Sequence, residues 1–108
     1  MTKIKRNDTM TFEVKKNNKG CKLKIKGEMN IFNAVEIKNS LVDNLLDSPK
    51  IEIDLSGVSE MDTAGFQLLV MLKQEADCLN KGFKIVSCSP SVQAVLELYR
   101  MKDYIIKQ

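Results

Sequence analysis

The chain has 108 residues, of which 44% are hydrophobic and 29% charged, and a formal net charge of +3. This is the composition of one globular domain able to bury roughly 65% of its unfolded surface. There is no histidine, which removes the imidazole general base, the Cys/His zinc site and the Ser-His-Asp triad.

Cys21, Cys78 and Cys88 leave one thiol unpaired in any disulfide scheme and form no CxxC pair, so three reduced, buried cysteines in a cytoplasmic protein are expected. The densest apolar run, Phe66 to Leu72, is interrupted by Gln67 and falls far short of the roughly 20 residues of a membrane span. Met1 to Thr11 is polar and lacks the apolar segment of a signal peptide. The pattern implies one domain over 1–108, with a loose polar start at 1–10 and a core at about 12–106.

Phe12 to Lys16 and Cys21 to Gly27 read as short strands joined through Asn17-Asn18-Lys19-Gly20, residues suited to a hairpin turn. Asn33 with Glu36 predicts a helix start, followed by Ala34, Ile37, Leu41 and Leu45 on one stripe up to Pro49. Ile51 to Ser56 alternates strictly, as a strand with one covered face does. A second helix is expected from about Ala64 to Asn80 with its stop at Gly82, then a strand from Phe83 to Cys88. Ser89-Pro90 opens a last helix with Val92, Val95, Leu96 and Tyr99 on one stripe. A hairpin followed by two βα units gives an α/β fold: a mixed sheet with helices packed mainly on one face.

The charge is uneven: residues 1–27 carry a formal +7 and residues 28–108 a formal −4. A basic first quarter fits nucleic acid or anionic lipid. Lys22, Lys24 and Lys26, however, alternate with Cys21, Leu23 and Ile25, as on the wet face of a half-buried strand, and no aromatic residues are interleaved with them. A structural role follows, with Glu52 and Asp54 as cross-strand neighbours of the lysines; nucleic acid is not an expected partner.

Glu60 to Phe66 lies where a strand gives way to a helix. Asp62 or Thr63 can cap that helix, and its positive end suits an anion, such as a phosphate esterified to Thr63. Taken alone, the segment is either a plain cap or such a site. The helix behind it is apolar around much of its circumference, with Leu68 and Met71 away from the stripe of Phe66, Leu69, Val70 and Leu72. Either it is deeply buried or its spare surface meets a partner; Thr63, Phe66, Gln67 and Met71 are the candidate lining.

Gly27-Glu28-Met29-Asn30, the strand Ile51 to Ser56, Asp62-Thr63-Ala64-Gly65, Gly82 and Ser89-Pro90-Ser91-Val92 with Val95-Leu96 resemble, in order and spacing, the STAS domain of bacterial anti-sigma factor antagonists. The resemblance covers about 12–106. It implies a partner-switching protein with no catalysis and no cofactor of its own. The unmodified form binds an anti-sigma factor that is also a serine/threonine protein kinase, and phosphorylation of the residue matching the family's Ser or Thr, here Thr63, releases it. The implied partner surface is Asn30, Asp62, Thr63, Ala64, Gly65, Phe66, Gln67 and Met71. The chain departs from the family at Asn30, where an Asp near the phosphorylation site is common. Its Thr63-Ala64-Gly65-Phe66-Gln67 wording is nearer to versions in chemotaxis-type systems, and Asp-Thr-Ala-Gly also occurs in lipid-transport ABC complexes. A constitutive accessory subunit of either assembly is therefore the alternative.

Two other readings are weaker. Thr63 as an enzymic nucleophile lacks a third group to orient it with Asp62. A response-regulator receiver would use Asp54 at a strand end but needs an acidic pair for magnesium, which the hairpin does not supply. No Gly-rich phosphate loop and no metal-ligand cluster occurs. The sequence does not fix the oligomeric state and allows a homodimer.

Overall fold

The computed structural model describes residues 2–6 and 9–106. Its elements, in chain order, are β1 (Thr2–Arg6), β2 (Met10–Asn17), β3 (Gly20–Met29), α1 (Ile31–Asp47), β4 (Lys50–Met61), α2 (Thr63–Cys78), β5 (Gly82–Cys88), α3 (Pro90–Leu98) and α4 (Lys102–Ile106). The five strands lie in the order β1-β2-β3-β4-β5. The first three are antiparallel, and β3, β4 and β5 run parallel. The expected mixed sheet is present, and it has one more strand than the hairpin and two βα units supply. Thr2–Arg6, expected as part of a loose start, pairs with Thr11–Lys15 as an edge strand.

Alternation builds the two faces. Phe12, Leu23, Ile25, Ile53, Leu55 and Ile85 point to the covered side and join Ile37, Leu41, Leu69, Leu72, Val92 and Leu96 from the helices in one core. The other side carries Glu13, Lys15, Lys22, Lys24, Glu52 and Asp54 around a shallow depression of about 450 Å³. Lys22 stands opposite Glu52 and Lys24 opposite Asp54 in the β3–β4 register, as the alternation requires. Asp54 lies well inside β4, which runs on to Met61, so the strand end imagined for a receiver is absent. Its carboxyl is held below the ordinary value of 3.8, first by the Ser56 hydroxyl and backbone N–H and further by Lys24 and Lys26.

Two helix ends differ from expectation. The cap of α1 is Asn30, whose Oδ1 accepts from Phe32 N and Asn33 N at 3.1 Å each. Asn33, the expected cap, is buried in the first turn and donates its amide to Thr9 Oγ1 at 3.0 Å and to the Glu28 carbonyl at 2.7 Å. The stop of α2 is Asn80 (φ 55°), with Lys81 N reaching back to the Ala76 carbonyl at 2.8 Å. Gly82 instead starts β5, its N–H donating to the Pro49 carbonyl at 3.2 Å. Asn tolerates the left-handed conformation, so Asn80 can end α2 in place of the expected Gly82.

The chain after α3 folds back over α2. Ile105 of α4 is fully buried, and Lys73 of α2, itself buried, pairs with Asp77 at 2.9 Å and stands 5.8 Å from the centre of the Tyr104 ring. No helix among the described residues is long and apolar enough to cross a membrane.

Candidate functional site

A single residue, Asp62, separates β4 from α2, and each of its polar groups has a structural task. In extended conformation (φ −99°, ψ −174°) it caps α2, its Oδ1 accepting from Gly65 N at 3.1 Å and its carbonyl from Phe66 N at 3.0 Å. Oδ2 accepts from Ile31 N, the first residue of α1, at 3.0 Å. Its own N–H donates to the Met29 carbonyl at 3.2 Å. One carboxylate therefore caps two helices at the carboxyl ends of the parallel strands, where α/β sheets characteristically place their functional loops.

The first turn of α2 lies directly on the end of β3. A Cβ on residue 65 would collide with the Met29 carbonyl oxygen and lie 3.1 Å from Met29 Cβ, so this approach requires glycine. With Gly65 N and Phe66 N committed to Asp62, the helix start offers an anion only the N–H groups of Thr63 and Ala64.

Thr63 is the first residue of α2 and is exposed. Its Oγ1 is 3.3 Å from the Tyr99 hydroxyl. The Tyr99 ring stacks on Phe66 with centroids 4.5 Å apart and planes at 16°. Behind this pair an apolar groove of about 360 Å³ runs between α2 and the segment after α3, lined by Phe66, Val70, Met71, Tyr99 and Met101 among others.

The residues named from sequence divide by burial. Thr63 and Gln67 are exposed, while Asp62, Ala64 and Met71 are half-buried. Asn30 and Gly65 are buried, and Phe66 is mostly buried but still lines the groove. Gly65 and Phe66 form the seat of the helix, and Asn30 spends its side chain on α1 and on Glu28, to which Nδ2 donates at 3.4 Å. An Asp at position 30 would face Glu28 with a second carboxylate, so the amide suits this neighbour. Leu68 is buried and Met71 packs against the core, which assigns most of the surplus apolar surface of α2 to the interior.

Sequence reasoning missed two features. Ile31, Phe32 and Val35, on the first turns of α1, are 64%, 89% and 67% exposed. They lie outside the stripe of Ile37, Leu41 and Leu45, and that was the available signal. Tyr99, expected on the core stripe of α3, is instead the C-cap of that helix and reaches Thr63. No sequence spacing announces such a contact. Among the described residues no group of three or more His, Cys, Asp or Glu side chains could hold a metal ion.

A family model described as the STAS domain matches residues 11–108. The chain belongs to the STAS domain family. Similar solved structures include an anti-sigma factor antagonist from Mycobacterium paratuberculosis, at 19% identity and a TM-score of 0.82, over 95% of this chain and 90% of that one. The anti-sigma factor antagonist SpoIIAA in its unphosphorylated form is 16% identical with a TM-score of 0.71, over 83% and 81% of the two chains. The Bacillus cell fate determinant SpoIIAA in the phosphorylated form is 15% identical with a TM-score of 0.68, over 82% of each chain. At these identities the likeness establishes a shared STAS fold, with Asp62 and Thr63 at the β4–α2 junction of this STAS domain.

Proposed function

We propose that this STAS domain is a cytoplasmic partner-switching regulator of the anti-sigma factor antagonist type. In its unmodified form it binds an anti-sigma factor that is a serine/threonine protein kinase, and phosphate on Thr63 releases it. The observation that carries the reading is the exposed hydroxyl of Thr63 at the first position of α2, beside an Asp62 carboxylate that cannot swing away without uncapping α2 and leaving Ile31 N at the start of α1 without its acceptor. In the transfer, Thr63 Oγ1 forms a bond to the γ-phosphorus of ATP as the bond to the bridging oxygen breaks. ADP leaves with that electron pair, and the hydroxyl proton passes to a base of the kinase. The product adds roughly −1.5 to −2 charges next to Asp62, which repels an acidic partner surface and resists desolvation in an interface. The exposed Ile31, Phe32 and Val35 supply apolar contact area next to the charge-sensitive position, since Asp62 ties Ile31 to the start of α2.

The test pairs the purified chain with each serine/threonine kinase of anti-sigma type from its source organism in the presence of ATP. Acid-stable phosphate should map to Thr63 in the wild type and be absent from Thr63→Ala. The same kinase should bind the wild type and Thr63→Ala, bind Thr63→Glu at least tenfold more weakly, and lose affinity for Phe32→Asp. Equal binding of Thr63→Ala and Thr63→Glu to one partner, with no phosphorylation, would instead support a constitutive accessory subunit.

A further inference from the structure

The contact between Thr63 and Tyr99 leads beyond the site of modification to how the modified state is held. Tyr99 is fixed independently of Thr63. It is the C-cap of α3, its N–H donates to the Val95 carbonyl at 3.2 Å, and Arg100 after it takes a left-handed conformation (φ 55°) that lets Met101 N reach the Leu96 carbonyl at 2.9 Å. The stack on Phe66 sets the plane of the ring, and Phe66 is held by the buried side of α2. The phenol oxygen is thereby presented to residue 63 by the end of α3 and by Phe66 on the helix that carries Thr63.

The O···O separation of 3.3 Å is longer than the roughly 2.7–2.8 Å usual for two hydroxyls. A phosphate on Oγ1 carries its charge on oxygens that extend beyond Oγ1, and a phenol donating to such an oxygen makes a charge-assisted bond of about 2.5–2.7 Å. On the other side Asp62 offers only acceptor oxygens, both already engaged.

We propose that Tyr99 is the phosphate-holding residue of the modified state: its hydroxyl donates to a phosphate oxygen on Thr63 while its ring stays stacked on Phe66. The proposal rests on the reading that Thr63 carries phosphate. It makes the end of α3 part of the switch and gives Tyr99 a role as hydrogen-bond donor separate from its role as packing surface. The modified state keeps the groove wall formed by Phe66 and Tyr99 closed.

The experiment installs phosphothreonine at position 63 by genetic encoding, so it does not depend on any kinase. The second ionisation of the phosphate is followed by 31P NMR in the wild type and in Tyr99→Phe, which retains the ring and loses only the hydroxyl. A donor to the dianion lowers the phosphate pKa, so Tyr99→Phe should titrate higher, by on the order of half a pH unit. In parallel, with 13C-labelled tyrosine, the ring protons of Tyr99 should keep on phosphorylation the shifts that stacking on Phe66 imposes. Identical phosphate titrations in both chains would overturn the proposal, as would loss of the stacking shifts on phosphorylation in the wild type. The latter reading also decides the matter should Tyr99→Phe fail to fold. Failure of every kinase to modify Thr63 would instead sink the partner-switching function and leave these titrations as they are.

Discussion

The carbonyl oxygen of Met29 occupies the space that a side chain on Gly65 would need. Because backbone and not a movable side chain stands in the way, Gly65→Ala must push α2 off the end of β3 and stretch the Asp62 N–H to Met29 bond of 3.2 Å. Urea unfolding should register a loss of about 2 kcal/mol. A loss below about 0.5 kcal/mol would mean that the helix start shifts freely.

Asp62→Ala should cost more than one helix cap. It removes the acceptors of Gly65 N and Ile31 N together, and each cap contributes about 1 kcal/mol. A drop of about 2 kcal/mol in unfolding free energy is expected, with Asp62→Asn between that variant and the wild type because one oxygen remains. Hydrogen exchange at Ile31 and Gly65 should quicken together in Asp62→Ala, whereas acceleration at Gly65 alone would contradict a shared cap.

Asp54 carries a pH signature. Its carboxyl is held below the ordinary 3.8 by Ser56, Lys24 and Lys26, so the folded state binds its proton less readily than the unfolded chain. The stabilisation is complete above pH 3.8 and fades as the pH falls through the lowered value. At neutral pH, Asp54→Asn should therefore unfold at lower urea than the wild type. The gap should close in acid; a gap that persists unchanged at the acid end would mean that the charge of Asp54 contributes nothing.

The three thiols should react in two classes. Of the three cysteines expected to be buried, only Cys21 is; Cys88 is half-buried and Cys78, the last residue of α2, is exposed, while burial pushes the thiols of Cys21 and Cys88 up. A low thiolate fraction and restricted access both slow thiol exchange. Titration with a disulfide reagent at neutral pH should give one fast equivalent, absent in Cys78→Ser, and two slow ones that speed up on unfolding. A fast phase surviving Cys78→Ser would place Cys21 or Cys88 within reach of solvent.

Much of the fold was legible because alternation and helical stripes record burial directly. β2, β3, β5 and all three longer helices fall within a few residues of where residues such as Leu23, Leu41 and Leu96 place them, while β4 runs five residues beyond the expected end at Ser56, to Met61. β1 was not, because an edge strand buries little: Thr2–Arg6 contains one apolar residue, Ile4, and that is 54% exposed. The cap of α1 was misplaced by three residues because Asn30 and Asn33 are equally good caps locally. The choice is tertiary, since the amide of Asn33 is needed by Thr9 and Glu28. At the site, Asp62 and Thr63 announced themselves as a strand-to-helix junction. Tyr99 lies 36 residues beyond Thr63 and reaches it only through the packing of α3 beside α2, which no local pattern encodes.

The bare face of the sheet has a corollary for self-assembly. Lys15, Lys22 and Lys24 face the same solvent as Glu13, Glu52 and Asp54, with Val86 the main apolar side chain around that depression. Two copies stacked sheet to sheet would have to strip water from all these charges for the apolar area of only two exposed large side chains among the described residues, Ile4 opposite Glu13 and Val86, and lysine against lysine would add repulsion. A homodimer of this chain would therefore be built along a strand edge or on the helical layer, and the ionic face would remain a wet spacer between neighbouring molecules.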